Sequence, residues 1–324
     1  MDSAQSAKPP IDIAVGILVD ARQRLLIAQR RPGTPGAGFW EFPGGKREGD
    51  EPIHDCLARE LAEEIGVRDC QSETIIRFAH AKGERPVRLH VSRIDAWQGE
   101  PEGLEGQELA WVSREELRDY TLLPATDVIL NALDLPDRYA ITPARSAAEA
   151  DAWQAQFDAL LGSGITLLRL RDQGIDDAAY QALASEVIPA AHAQGVRVLV
   201  DRSFELCRAV GADGLHWSVA RLLEKGRPNL GPGQLLAVSA HTDSDLAMAA
   251  GRGADFAVLS PVAATATHPG AVPLGWDGWA AARGDHALPV YALGGLGSDD
   301  LDVAARHNAQ GVAAIRGFWP ATRV

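Results

Sequence analysis

The stretch "GGKREGDEPIHDCLARELAEEIGV" (residues 44–67) sets Glu60, Glu63 and Glu64 at i, i+3 and i+4. On a helix that spacing puts all three carboxylates on one face. Leu57, Leu61 and Ile65 make a second, apolar stripe able to pack on a sheet. The punctuation agrees: Asp50 stands where a helix cap is wanted, Pro52 suits the first turn, and Gly66 ends a helix running to Ile65. Like charges at such spacings cost about a few tenths of a kcal/mol per pair. Two readings therefore stand. The face is either a solvated acidic surface partly neutralised by Arg59, or a platform on which something cationic binds.

Outward from this helix, the chain reads as two domains. Residues 1–10 form a lead-in without structure signals, and the first domain spans 11–134. "IDIAVGILVD" (11–20) and "RLLIAQR" (24–30) are aliphatic runs split by a short polar turn, the signature of a hairpin. Further strands are expected at "ETIIRFAHA" (73–81) and "VRLHVSRIDAW" (87–97), with short helices at "SREELRDY" (113–120) and "DVILNAL" (127–133). The beat changes at "DLPDRYAITP" (134–143). From 138 to 324, eight short apolar strands, among them "TLLRLR", "VRVLVD", "LLAVSAH" and "PVYALGG", alternate with helical stretches. Eight strand–helix units imply a compact (β/α)8 barrel, with a doubly wound open sheet as the alternative. The fold class is α/β throughout.

The formal charge of −13 over 324 residues argues against coating a nucleic acid or an anionic membrane. It leaves a nucleotide substrate open, because a bound divalent metal inverts the local sign. Cys56, Cys70 and Cys207 are scattered with no CxxC pair, which fits a reduced cytoplasm. The N-terminus lacks an apolar signal core, and no run reaches the ~18 apolar residues of a membrane span. A cytoplasmic enzyme of small molecules is the expectation.

Residues 45–67 fit the Nudix box, G-x5-E-x7-R-E-U-x-E-E-x-G-U with U aliphatic, at Gly45, Glu51, Arg59, Glu60, Leu61, Glu63, Glu64, Gly66 and Val67. Over about residues 11–133 the chain resembles Nudix hydrolases. "FWEFPGGK" and "EGQELAW" are similar to MutT-type members, which hydrolyse oxidised guanine nucleoside triphosphates such as 8-oxo-dGTP to the monophosphate and pyrophosphate. The resemblance implies an α/β/α sandwich around a mixed sheet and Mg²⁺, with Mn²⁺ as an alternative. Hard cations of this kind take oxygen ligands. It implies Glu60 as a metal ligand or general base, Glu63 and Glu64 as metal ligands, the Gly44 carbonyl beside them, and Arg59 and Glu51 as the brace of the catalytic unit. Glu105 would be the distal acidic ligand, with Glu108 competing for the role. Arg30 would contact substrate phosphate and Phe42 the base, with Arg85 a further substrate-binding residue on a loose alignment. MutT-type members carry an asparagine after a Pro-Ala pair that reads the oxidised guanine edge. Here Thr126 stands there, followed by Asp127, which either meets a purine edge or caps a helix. The substrate is then a nucleoside triphosphate, or another diphosphate such as one of the thiamine pathway.

From "RYAITP" onward the chain resembles thiamine-phosphate synthase and its relatives, a small TIM-barrel family. The pieces are "GITLLRLRD", "VDRSFELCRAVGADGLHW", "AVSAHT", "SPVAATATHPGAVPLG" and "YALGGL". The resemblance implies ligand contacts from Arg171, Asp201, Ser239, Thr265 and Thr267, and a phosphate grip at Gly294, Gly295 and Gly317. Five family positions differ. The Gln-Leu-Arg-x-Lys segment has Arg169 and Gln173 at its ends, the asparagine of Asn-Asp-Arg is Val200, an acidic metal ligand is Arg221, and the lysine of Thr-x-Thr-Lys is His268. His241 and His268 are acid–base candidates near neutral pH. The barrel is therefore expected to be a degenerate synthase, an active synthase or thiazole-phosphate isomerase, or a non-catalytic sensor of a phosphate ligand.

Overall fold

A computed structural model describes residues 9–80, 86–145, 150–265, 270 and 272–320. The chain divides into two compact units, Met1–Leu133 and Asp134–Val324. The first contains β1 (Ile11–Leu18), β2 (Leu25–Gln29), β3 (Trp40–Glu41), β4 (Gly44–Lys46), α1 (Ile53–Ile65), β5 (Arg68–His80), β6 (Val87–Gln98) and β7 (Leu109–Val112), and ends on α2 (Thr126–Asp134). A mixed four-stranded sheet runs β4-β1-β6-β5, and a smaller one β3-β2-β7. β1 lies parallel to β6, from Ile11 opposite Val87 to Leu18 opposite Ile94, and antiparallel to β4.

The expected hairpin of β1 and β2 does not form. Both edges of β1 are taken by β4 and β6, so β2 joins the other sheet after one bridge, Val19 to Leu25. Asp20 makes that diversion by accepting the N–H groups of Arg22 and Arg24, with Gln23 at φ 61°. Asp50 does not cap α1 either. The helix starts at Ile53, behind Pro52, whose carbonyl accepts from the N–H groups of Asp55 and Cys56. Gly66 ends it as expected, in the left-handed conformation at φ 73°.

The alternation of β1 decides what each face does. Cys56, Leu57, Leu61 and Ile65 of α1 share one core with Ala14, Leu18 and Ile94. Ile13, Val15 and Leu89 point the other way, towards a cavity also lined by Thr126 and Ile129 of α2. The sheet is thus sandwiched, with α1 on one side and the cavity on the other.

The second unit begins with β8 (Arg138–Ile141), α3 (Ala150–Leu161), β9 (Leu167–Leu170), α4 (Asp177–His192), β10 (Arg197–Val200), α5 (Phe204–Ala209), β11 (Gly214–Ser218) and α6 (Val219–Lys225). It continues with β12 (Leu235–Ala240), α7 (Asp243–Gly251), β13 (Phe256–Leu259), α8 (Gly275–Arg283), β14 (Val290–Leu293), α9 (Leu301–Arg306) and β15 (Gly311–Ala314). All eight strands are parallel and β15 pairs with β8, so the sheet closes and the open-sheet alternative falls. Tyr139, Leu199, Phe256 and Tyr291 fill the bore, while Leu168, Val198, Leu236 and Val290 face outward to the helices. That alternation decides which polar residues reach the bore and its mouth. Among the described residues, no helix is long and apolar enough to cross a membrane.

Candidate active sites

In the first unit, the three glutamates of α1 do not share one environment. Glu64 lines a cavity of ≈ 590 Å³ and accepts the Gly44 N–H at 3.1 Å. Burial pushes its carboxyl up to about 7; Glu60, Glu105 and Glu41 add like charge, and the Gly44 N–H opposes the rise. Glu60 rests against Gly45, where a Cβ would meet its carboxylate and push it aside. Burial raises Glu60 too, against the pull of Arg59. Glu63 is exposed.

Arg59 ties these parts together. Its guanidinium donates to Glu51 at 2.8 Å, to Glu60 at 3.0 Å, to Glu63 at 3.2 Å and to the Lys46 carbonyl at 3.1 Å. Hydrogen bonding to Arg59 holds the Glu51 carboxyl down at about 2. Because Arg59 draws Glu60 and Glu63 away while Glu64 turns to Gly44, no three acidic, histidine or cysteine side chains meet at one point among the described residues. The donors are nonetheless hard oxygens, the kind that suit Mg²⁺ or Mn²⁺. Glu64 also sits half-buried in a field of like charge that a cation would relieve. On that chemistry the set fits a divalent metal.

Phe42, 5% exposed, and Thr126, 3% exposed, also line the cavity. Arg30 lines it as well, but its guanidinium is held at 2.6 Å by Glu41. Glu105 lines the cavity and pairs with Arg31 at 2.8 Å, whereas Glu108 lies outside the lining. Asp127 lies in the first turn of α2 rather than capping it, and points to solvent away from the cavity. Arg85 lies outside the described residues. Sequence reasoning missed Glu41 and Gln107. The first neutralises Arg30; the second donates to the Glu64 carbonyl at 2.8 Å and accepts the Glu105 N–H. Both stand in the MutT-like segments and carried the signal only by their neighbours.

In the barrel, a cavity of ≈ 660 Å³ opens at the carboxyl ends of the strands. Arg171, Ser239, Thr265, Gly294, Gly295 and Gly317 line it, as do Gln173 and His241. Thr267 and His268 lie outside the described residues. His241 has its Nδ1 2.9 Å from the Ser260 carbonyl. Asp201 does not line the cavity. Its side chain is 6% exposed and drawn between Arg202 at 3.1 Å and Arg169 at 3.4 Å, while Arg221 donates to its backbone carbonyl at 3.3 Å. The Mg²⁺-diphosphate arrangement expected of the synthases does not fit these residues, because the acidic position is Arg221 and the remaining carboxylate is already held by two guanidinium groups.

Beneath the mouth runs a buried relay that sequence reasoning did not pick out. The Tyr139 hydroxyl lies 2.9 Å from Nδ1 of His216, whose Nε2 lies 2.8 Å from Oγ of Ser239. Burial first, then the Arg169 and Arg171 charges, hold His216 well below the ordinary imidazole range. The sign of the linkage follows. Below about pH 6.5 the unfolded chain takes up a proton that the folded barrel refuses, so stability falls by about 1.4 kcal/mol per pH unit until the folded state is protonated too. Thermal midpoints of the barrel transition from about pH 7 to 5 should show this slope, and His216→Leu should remove it. A slope unchanged in His216→Leu would place the titration elsewhere.

The comparisons agree with this division. The NUDIX domain model matches residues 10–133 and the thiamine monophosphate synthase model residues 138–318. The first unit is 35% identical over 118 residues to the CTP pyrophosphohydrolase of Escherichia coli, covering 36% of this chain and 87% of that one. It is 33% identical over 126 residues to the 8-oxo-dGTP diphosphatase of Haemophilus influenzae, covering 39% and 93%. The barrel is 30% identical over 186 residues to an Aquifex aeolicus protein with a provisional thiamine-phosphate synthase name, covering 57% and 99%.

Proposed function

Because the chain belongs to the Nudix family through residues 10–133 and to the thiamine monophosphate synthase family through residues 138–318, we propose a division of labour between its two units. The first is a Mg²⁺-dependent hydrolase that cleaves an oxidised purine nucleoside triphosphate, 8-oxo-dGTP or a relative, to the monophosphate and pyrophosphate. Mn²⁺ is the alternative metal, and nucleotide-pool sanitation, and through it DNA repair, is the role. The second is a degenerate synthase that binds a phosphate-bearing small molecule. The observation that carries the first reading is Glu64 of the Nudix helix lining one cavity together with Phe42 and Thr126.

Glu60, Glu63, Glu64 and the Gly44 carbonyl would hold the metal, with Glu105, close enough to Glu64 to add to its like charge, as the distal ligand. When bound, it neutralises the triphosphate and polarises the phosphorus that water attacks. The chain's own residues do the rest. Glu60, given room by Gly45, takes the proton of the attacking water or serves as a ligand. Arg59 and Glu51 keep the loop and α1 in register. Phe42 offers an apolar surface to the base, and Thr126 a hydroxyl to its edge.

Thr126 also favours a second substrate. A short hydroxyl replaces the asparagine of MutT-type members, and the CTP pyrophosphohydrolase is among the relatives. A panel of oxidised purine triphosphates, ordinary triphosphates including CTP, and thiamine-related diphosphates tests both readings. Highest kcat/KM on 8-oxo-dGTP supports the first, and highest on CTP the second. A preference for thiamine-related diphosphates sinks both. Thr126→Asn should move the 8-oxo-dGTP to CTP preference by about tenfold towards the oxidised purine; an unchanged ratio would remove Thr126 from base recognition.

A further inference from the structure

We propose that the mouth of the barrel binds the phosphate group of its ligand without a divalent cation, through Arg169, Arg171 and the hydroxyl of Ser239. This rests on the reading of the barrel as a phosphate binder and says how the binding is done. Among the described residues, the cavity lining holds Arg169, Arg171 and Arg316 and no carboxylate. Such a wall repels a cation and attracts an anion.

Each donor is left with something to give. The Arg169 Nε is buried and has no hydrogen-bond partner among the described residues. A buried N–H in that condition is costly unless an acceptor arrives. The carboxylate nearest to Arg169, Asp201, is 3.4 Å away and shared with Arg202. Arg171 donates to Gln173, which is neutral, at 2.9 Å. Burial and the Arg169 charge destabilise its cation, a strain that an anion between the two guanidinium groups would relieve.

Ser239 completes the set through the relay below it. The distances admit either tautomer of His216; we assign the one in which the buried Tyr139 phenol donates its proton to Nδ1 and the imidazole proton sits on Nε2. That Nε2–H then donates to Oγ of Ser239 at 2.8 Å. With its oxygen engaged from beneath, the serine's own proton is free for the cavity that it lines. Tyr139 and His216 are positioning residues for this donor. Two departures from the synthase pattern add guanidinium charge, Arg169 for a glutamine and Arg221 for an acidic metal ligand, while Gln173 and His268 each replace a lysine. Of the added charges, Arg169 lines the cavity.

The phosphate could belong to a monoester or to an inorganic diphosphate, and calorimetry on the full chain separates them. Inorganic phosphate and inorganic diphosphate are titrated in excess EDTA and again in excess Mg²⁺, with wild type, Arg169→Gln, Ser239→Ala and Glu64→Gln. We expect saturable binding in EDTA that weakens about ten- to hundredfold in Arg169→Gln and about tenfold or less in Ser239→Ala, and survives in Glu64→Gln. Tighter binding of phosphate marks a monoester site, and of diphosphate a diphosphate site. Binding that needs Mg²⁺ and ignores Arg169→Gln overturns the metal-free assignment while leaving the barrel a phosphate binder. Binding lost in Glu64→Gln places the anion in the first unit and overturns the assignment too. No binding in either buffer sinks both. Should Arg169→Gln lose its circular dichroism transition, Arg169→Lys and Ser239→Ala carry the test: both must weaken binding in EDTA, and wild-type affinity in both would refute it.

Discussion

Glu64→Gln should lose nucleotide hydrolysis by about 10²–10³-fold while the protein becomes no less stable. Loss of one preorganised charged group at a phosphoryl-transfer centre has about that effect on kcat, and glutamine keeps the side chain's size. The stability half follows from the same burial. Glu64 is pushed up to about 7, with Glu60, Glu105 and Glu41 adding like charge. A group raised in the folded state stabilises fully below its unfolded value and loses that contribution as pH rises through the folded one. In chelator, therefore, wild type should weaken between about pH 4.5 and pH 7 relative to Glu64→Gln. The variant should melt at the higher temperature at about pH 8, and the difference should vanish at about pH 4. Thermal melts across that range and kcat with excess Mg²⁺ make the measurement. Full turnover in Glu64→Gln would refute the assigned role; equal melting at every pH would refute the burial argument. Wild type, and not the variant, should also gain melting temperature on adding Mg²⁺, because a cation bound to the folded state stabilises it by mass action.

Arg283→Met should destabilise the barrel by about 2–4 kcal/mol, the loss of several charge-assisted hydrogen bonds at once. Arg283 is 1% exposed at the end of α8, and its guanidinium donates to four carbonyls: Gly284, His286, Leu288 and Asn308, at 3.0–3.2 Å. It ties the loop after α8 to the turn after α9, just where β14 and β15 enter the sheet. Methionine fills similar volume but removes the charged donor that those four carbonyls share. Urea unfolding makes the measurement, followed by tryptophan emission in a protein with Trp40, Trp97 and Trp111 replaced by Phe so that the signal, which includes the fully buried Trp279 of the same helix, comes from the barrel. A loss under about 1 kcal/mol would mean that water or other donors reach those carbonyls. Arg283→Lys, with a point charge in place of a fork, should fall between the two.

Both cases turn on where a side chain ends up after folding, and that is where sequence reading runs out. The spacing of Glu60, Glu63 and Glu64 showed that they share a face, because helix geometry acts over three or four residues. It did not show that Arg59 would claim two of them and leave Glu64 alone on the cavity. Nor could it separate Glu105 from Glu108, or turn Asp127 away from the base, since those depend on the small sheet and on the first residue of α2.

The fold class, the apolar stripe of α1 and the eight-strand rhythm were legible in the chain, because each is a local periodicity of hydrophobic and polar residues. The hairpin was misread for a non-local reason: β1 has two edges, and β4 and β6 occupy both. Closure of the barrel likewise brought together residues that no pattern joins. Tyr139 and His216 are 77 positions apart, and His216 and Ser239 another 23. The sequence by itself determined that this protein carries an acidic Nudix helix and a parallel barrel. Only the tertiary structure decided that one glutamate of that helix faces the cavity, and that the barrel's mouth is walled by arginines. Neighbours along a chain set the elements, whereas burial and charge at a site are set by what packs across it.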